Sequence, residues 1–120
     1  MNTIMRPALT WIDGDFQSGI EIEVRDSHIL DVRTTEQSPT DSSLALLPGF
    51  VNAHSHAFQR GLRGRGEVFT NPDDDFWSWR KAMYGLVETL TPESAYEHSL
   101  RAFQEMRAAG ITSVGEFHYI

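Results

Sequence analysis

The sequence predicts an α/β fold, with a small β unit first and the start of a parallel strand–helix–strand architecture behind it. Three observations carry this reading. Ile20, Ile22 and Val24 alternate with Glu21, Glu23 and Arg25, the period of two expected of a half-buried strand. The most apolar stretch, Leu44 to Ala53, runs into His54-Ser55-His56. Two segments of helical spacing then lead to a second apolar strand, Ile111 to Phe117, which is the order of a parallel α/β unit.

Each element has its own signals. Ala8 to Ile12 reads as a strand, ended by the turn-like Asp13-Gly14-Asp15. Asp26-Ser27 forms a tight turn after the alternating strand, and His28 to Val32 returns from it, giving a small antiparallel unit. Thr34 to Ser43 is polar and contains Pro39, so it reads as a loop or linker. Pro48-Gly49 interrupts the apolar stretch, and Gly49 to His54 then reads as a strand buried on both faces, as parallel strands are. Gln59 to Gly66 is a loop rich in glycine and arginine.

The helices are marked at their ends. Asn71-Pro72-Asp73-Asp74-Asp75 places acidic groups at a helix start, where the dipole favours them. Phe76, Met83, Leu86 and Leu90 would share one face of that helix. Thr91 is an N-cap, Pro92 suits the first helical position, and Gly110 suits the C′ position of a second helix. Tyr96, Leu100, Phe103 and Met106 recur along it at helical spacing.

Composition narrows the function classes. The formal charge of −7 argues against nucleic-acid binding, which usually shows a basic surface. No apolar run approaches the roughly 18 residues of a spanning helix, and Met1 to Pro7 lacks the apolar core of a secretory signal, so a cytoplasmic location without membrane attachment is expected. The sequence has no cysteine, so a metal would be held by His, Asp or Glu.

His54-Ser55-His56 is the main chemical signal. Residues two apart in a strand point to the same side, so both imidazoles can approach one ion at about 2.0–2.1 Å if it is zinc. The pair also sits at the C-terminal end of an apolar strand, where α/β barrels keep their active sites. Zinc needs at least one more protein ligand, and no other residue is clearly placed to supply it. Glu116 and His118 share a face by the same period and read either as lining for the site or as a structural pair. Arg60, Arg63 and Arg65 make a local basic loop that reads as solvated, and Phe76, Trp77 and Trp79 read mainly as core.

At Leu47-Pro48-Gly49-Phe50-Val51-Asn52-Ala53-His54-Ser55-His56 the chain resembles the amidohydrolase superfamily, and Ala109-Gly110-Ile111-Thr112-Ser113-Val114 is similar to that superfamily's approach to its second barrel strand. Within it, the formimidoylglutamate deiminases are resembled at His54 to Arg60, at Phe76-Trp77-Ser78-Trp79-Arg80 with Met83-Tyr84, and at Gly115-Glu116-Phe117-His118-Tyr119. The resemblance implies that residues 1–46 are part of a small β-sandwich and residues 47–120 the first β/α units of a (β/α)8 barrel. It implies one zinc ion per subunit, with His54 and His56 as ligands. It implies substrate contacts from Gln59, Arg80 and Tyr119, and hydrolysis of N-formimino-L-glutamate to N-formyl-L-glutamate and ammonia in histidine degradation. The other ligands, a His and an Asp, and the acid–base groups are expected beyond Ile120, in a homodimeric enzyme of which this is roughly the first quarter to third, judged against a barrel of about 250 residues.

The 120-residue chain alone is therefore expected to be inactive and prone to aggregate. Two other functions compete. One is a deaminase or chlorohydrolase of the same superfamily acting on a heterocyclic amine, which would not need a carboxylate clamp at Arg80 and Tyr119. The other is a non-catalytic binding protein on the barrel scaffold, against which the His54–His56 pair speaks.

Overall fold

The computed structural model describes residues 1–66 and 75–119, which divide into two compact units, Met1–Pro48 and Gly49–Ile120. The first holds six strands: β1 (Asn2–Met5), β2 (Pro7–Ile12), β3 (Asp15–Gln17), β4 (Ile20–Arg25), β5 (His28–Thr34) and β6 (Asp41–Leu46). One sheet has the order β1-β4-β5, antiparallel throughout. The other is β3-β2-β6, in which β2 and β3 are antiparallel and β6 runs parallel to β2. The hairpin turns follow from residues that tolerate positive φ: Asp13 (54°) and Gly14 (85°) join β2 to β3, and Asp26 (49°) and Ser27 (66°) join β4 to β5.

The expected loop from Thr34 to Ser43 is shorter than the sequence indicated. Strand β5 runs through Thr34, and Asp41 already belongs to β6. Among the described residues strand β6 pairs with β2 alone, and it is largely exposed. Side chains on an uncovered edge strand need no apolar alternation, so Asp41-Ser42-Ser43 concealed it. The short strands β1 and β3 escaped notice for the same reason, being held by their partners rather than by burial.

Glu21 departs from the alternating pattern. Ile20 and Ile22 are buried as expected, but Glu21 between them is buried too, at 4% exposure. It is compensated by two guanidinium groups: Arg6 Nε lies 2.5 Å from Oε2, and Arg33 Nη2 donates to Oε1. The Arg6 hydrogen bond holds the Glu21 carboxyl below its usual 4.5, with Arg33 adding to the effect against the opposing influence of burial. A carboxyl group with a depressed folded-state pKa contributes stability above its unfolded pKa, and that contribution is lost as pH falls through the folded value. Thermal melts are therefore expected to fall as pH is lowered below about 4.5, and to fall less steeply in the Glu21→Gln variant. Parallel pH curves for the two proteins would show that Glu21 has no such part.

The second unit contains β7 (Phe50–Ser55), a 3-10 turn at Ala57–Leu62, α1 (Phe76–Thr89), α2 (Pro92–Ala108) and β8 (Ile111–Glu116), with β7 and β8 parallel. The helix starts follow the sequence signals. Asp75 caps α1 by accepting from Trp77 N and Ser78 N at 2.8 and 3.2 Å, whereas Asn71 to Asp74 of the expected start lie outside the described residues. Thr91 and Ser94 form a capping box on α2, with Pro92 at its first turn. Gly110 ends α2 with φ 82°, a left-handed conformation that only glycine takes without steric cost. At the start of β7, Gly49 has no Cβ, and the Thr112 side chain of β8 occupies the space one would need.

The centre of this unit lies where the sequence indicated a loop. Phe58 is fully buried, and Ala57, Leu62, Met83 and Ala102 close around the 3-10 turn. The expected helix stripes hold in part: Met83 is buried and Leu86, Leu90, Phe103 and Met106 are half-buried, whereas three of the named residues lie outside. Phe76 is 59% exposed and Tyr96 66%, and Leu100 is exposed as well. The face of α2 turned inward carries Ala102 beside the half-buried His98, Phe103 and Met106, and at the 3-10 turn the absent Cβ of Gly61 would stand 3.0 Å from His98 Nε2. Strand β7 is not buried on both faces: Phe50 is 58% exposed and Val51 70%. The sheet has two strands among the described residues, and α2 packs on β8, so those side chains are left uncovered. Among the described residues no helix is long and apolar enough to cross a membrane.

Candidate metal centre

The end of β7 turns the two histidines towards each other. His54 Nε2 and His56 Nε2 are 2.9 Å apart, with the rings nearly perpendicular at 83°. The His56 ring is fixed from the neighbouring strand: Nδ1 lies 2.9 Å from the carbonyl oxygen of Phe117, just past β8. A carbonyl only accepts, so Nδ1 carries the proton and Nε2 keeps its lone pair, the tautomer that a metal ligand requires. Two nitrogens 2.9 Å apart can both reach an ion at about 2.0–2.1 Å, so the pair suits two positions of a zinc site. Among the described residues no group of three or more His, Cys, Asp or Glu is placed to hold a metal, so these two donors must be joined by others.

Glu116, at the last position of β8, accepts from Ala57 N at 2.8 Å, while His118 Nδ1 stands 3.7 Å from its Oε1. The period of two put Glu116 and His118 on one face, but nothing in the sequence pointed to the Ala57 N–H or to the Phe117 carbonyl. Such backbone partners depend on strand register and leave no residue-type signal.

Gln59 and Tyr119 come together beside the pair. Gln59 Nε2 donates to the Tyr119 hydroxyl oxygen, which leaves the phenolic proton free for another acceptor. The Tyr119 ring meets the His56 ring edge-on at a centroid distance of 4.7 Å and rests on Phe58 at 5.3 Å. Phe58 thus links the core to the site, a role that its place between the expected strand and the Gln59 to Gly66 loop did not reveal.

Arg80 is not joined to this cluster by any contact among the described residues. Its Nε and Nη2 donate to the Tyr84 hydroxyl at 3.1 and 2.7 Å, and the guanidinium lies over the Trp77 and Tyr84 rings at 5.5 and 5.2 Å. The open hollow beside it, about 630 Å³, is lined by Trp77, Arg80, Lys81 and Tyr84 among others. Phe76 and Trp77, expected mainly as core, are exposed and meet edge-to-face at the start of α1. Two arginines of the basic loop are paired rather than simply solvated. Arg60 and Arg63 both reach Glu105 Oε1, at 2.6 and 3.0 Å, and the Arg60 hydrogen bond is the main cause that holds the Glu105 carboxyl below its ordinary range.

The chain belongs to the amidohydrolase family, whose model matches residues 45–120, the part that carries the parallel strand pair and the two imidazoles. It is similar to the formimidoylglutamate deiminase of Pseudomonas aeruginosa, with 50% identity over 76 residues that cover 63% of this chain and 17% of that protein. It is also similar to the 8-oxoguanine deaminase of the same organism, with 28% identity over 88% of this chain and 24% of that one. The crystal structure of an amidohydrolase from Brucella melitensis superposes with a TM-score of 0.79 at 34% identity, over 97% of this chain and 26% of that one, which establishes the α/β amidohydrolase fold. The chain therefore spans about a quarter or less of the length of these relatives.

Proposed function

We propose that the complete protein is a zinc-dependent deiminase that hydrolyses N-formimino-L-glutamate to N-formyl-L-glutamate and ammonia, as a cytoplasmic homodimer acting in histidine degradation. In this reading residues 1–46 are part of a small β-sandwich and residues 47–120 begin a (β/α)8 barrel. The observation that carries it is the cluster of His54, His56, Gln59 and Tyr119 at adjoining strand ends, in a chain half identical over its matched part to a formimidoylglutamate deiminase.

His54 and His56 would hold the zinc with donors from elsewhere in the protein. When bound, the ion supplies the Lewis acidity that activates water for attack near neutral pH. The described residues serve binding and orientation. Tyr119, with its oxygen engaged by Gln59, has its proton to offer to a substrate carboxylate. Arg80 presents a guanidinium fork that can take a carboxylate through two parallel hydrogen bonds. A substrate with two carboxylates uses both residues, whereas a heterocyclic amine uses neither.

Hydrogen bonds to charged groups contribute about 1.5–3 kcal/mol. Arg80→Lys is accordingly expected to lower kcat/KM for N-formimino-L-glutamate by about 10- to 100-fold, since an ammonium cannot replace the fork. Steady-state kinetics check this. An unchanged kcat/KM would remove Arg80 from substrate binding. The similarity to 8-oxoguanine deaminase supports a second reading, a deaminase of heterocyclic amines. Turnover of 8-oxoguanine in preference to N-formimino-L-glutamate would decide for it.

A further inference from the structure

We propose that Glu116 is a positioning residue for the histidine pair, acting through the backbone that carries His56. The inference deepens the metal-site reading and rests on it. His56 is where β7 breaks off: its backbone has φ −132° and ψ 77°, and its own side chain makes no capping bond to the 3-10 turn that follows. The path of the chain at this point is set from β8. Phe117 N donates to Ser55 O at 3.0 Å, His56 Nδ1 meets Phe117 O at 2.9 Å, and Glu116 Oε1 takes the Ala57 N–H at 2.8 Å. Three consecutive residues, Ser55 to Ala57, are thus gripped by two, Glu116 and Phe117. The His56 bond comes from the imidazole itself, so the Glu116 carboxylate is the partner that can be substituted without altering a proposed ligand.

The setting of the carboxylate favours this role. The first N–H groups of a helical turn have no partner within it, and Glu116 reaches across from another strand to satisfy one. Its second oxygen, Oε2, is buried and among the described residues has no hydrogen-bond partner. The carboxylate is thus largely buried, with the side chain 11% exposed, and Oε1 is the oxygen that meets Ala57. With Ala57 released, the turn after His56 can shift, and the imidazole pair with it. Partners that orient metal-binding histidines typically change metal affinity by about 10- to 100-fold when they are substituted.

The test measures zinc affinity of the complete protein by competition with a chromogenic chelator, beside thermal melts, for Glu116→Gln, Glu116→Asp and His54→Ala. Glutamine keeps an oxygen at the Oε1 position, whereas aspartate keeps the charge but withdraws the acceptor by one methylene. Both should melt lower than the parent. Glu116→Gln is expected to retain zinc affinity within about threefold, and Glu116→Asp to lose about 10-fold or more. Retained affinity in Asp with loss in Gln would overturn the proposal in favour of a role for charge. Parent-like affinity in both also overturns it, and loss of zinc in His54→Ala would then show that the metal reading survives. Unchanged zinc binding in His54→Ala overturns that reading, and the positioning role with it.

Discussion

His54→Ala is expected to remove the zinc from the complete protein and to abolish its turnover. The loss should exceed the roughly 100-fold that substitution of an outer partner causes, because a ligand itself is gone. His54 and His56 face each other at 2.9 Å, and His56 is held by Phe117 in the tautomer whose Nε2 lone pair is free. Removing His54 leaves one nitrogen where two had converged, and a site that also needs donors from elsewhere cannot retain the ion against a chelator. Metal analysis after dialysis, with circular dichroism to show that the fold is intact, checks the result. A folded His54→Ala protein with its full complement of zinc contradicts the assignment.

The largest effect on stability is expected at Phe58. It is fully buried at the centre of the second unit, and its ring supports Tyr119 at 5.3 Å. Phe→Ala substitutions in cores cost about 3–5 kcal/mol, through lost transfer energy and the cavity left behind. Phe58→Ala is expected to destabilise the second unit by that amount, which is a large part of the stability of an ordinary domain. Because Tyr119 rests on the same ring, Phe58→Leu should preserve most of the stability and still weaken substrate binding. Denaturant titration and steady-state kinetics separate the two effects. A loss below about 1 kcal/mol for Phe58→Ala would place the core elsewhere.

The parts of the fold that could be read in the sequence are those fixed by local chemistry. Thr91 with Pro92, Gly110, the Asp13-Gly14 turn and the strand β4 are each marked within a few residues, and each stands where it was expected, although Glu21 breaks the burial alternation of β4. The parts that could not be read depend on partners distant in sequence. Strand β6 is defined by its pairing with β2, and Glu21 is buried because Arg6 and Arg33 reach it. Phe58 immediately precedes the glycine- and arginine-rich stretch from Gln59 to Gly66, whose composition resembles a surface loop, yet the 3-10 turn that joins them packs against α1 and α2. Strand β7 erred in the other direction: its apolar residues implied cover on both faces that the described elements do not provide.

The site divides along the same line. The spacing of His54 and His56 predicted side chains on one side, as for residues two apart in a strand, and the pair does face together although His56 stands one residue past β7. The closeness of Gln59 and Tyr119 was foreseen only through resemblance, since sixty residues separate them in the chain and adjacency of β7 to β8 brings them together. Glu116 had a visible periodicity but no visible target, because what it holds is a backbone N–H.

Ammonia release from N-formimino-L-glutamate by the complete, zinc-loaded protein, with metal-stripped protein and His54→Ala as controls, tests the central claim most directly. Turnover that disappears on stripping, returns with zinc and is missing in His54→Ala is the predicted result. A folded protein carrying stoichiometric zinc that releases no ammonia from this substrate would contradict it.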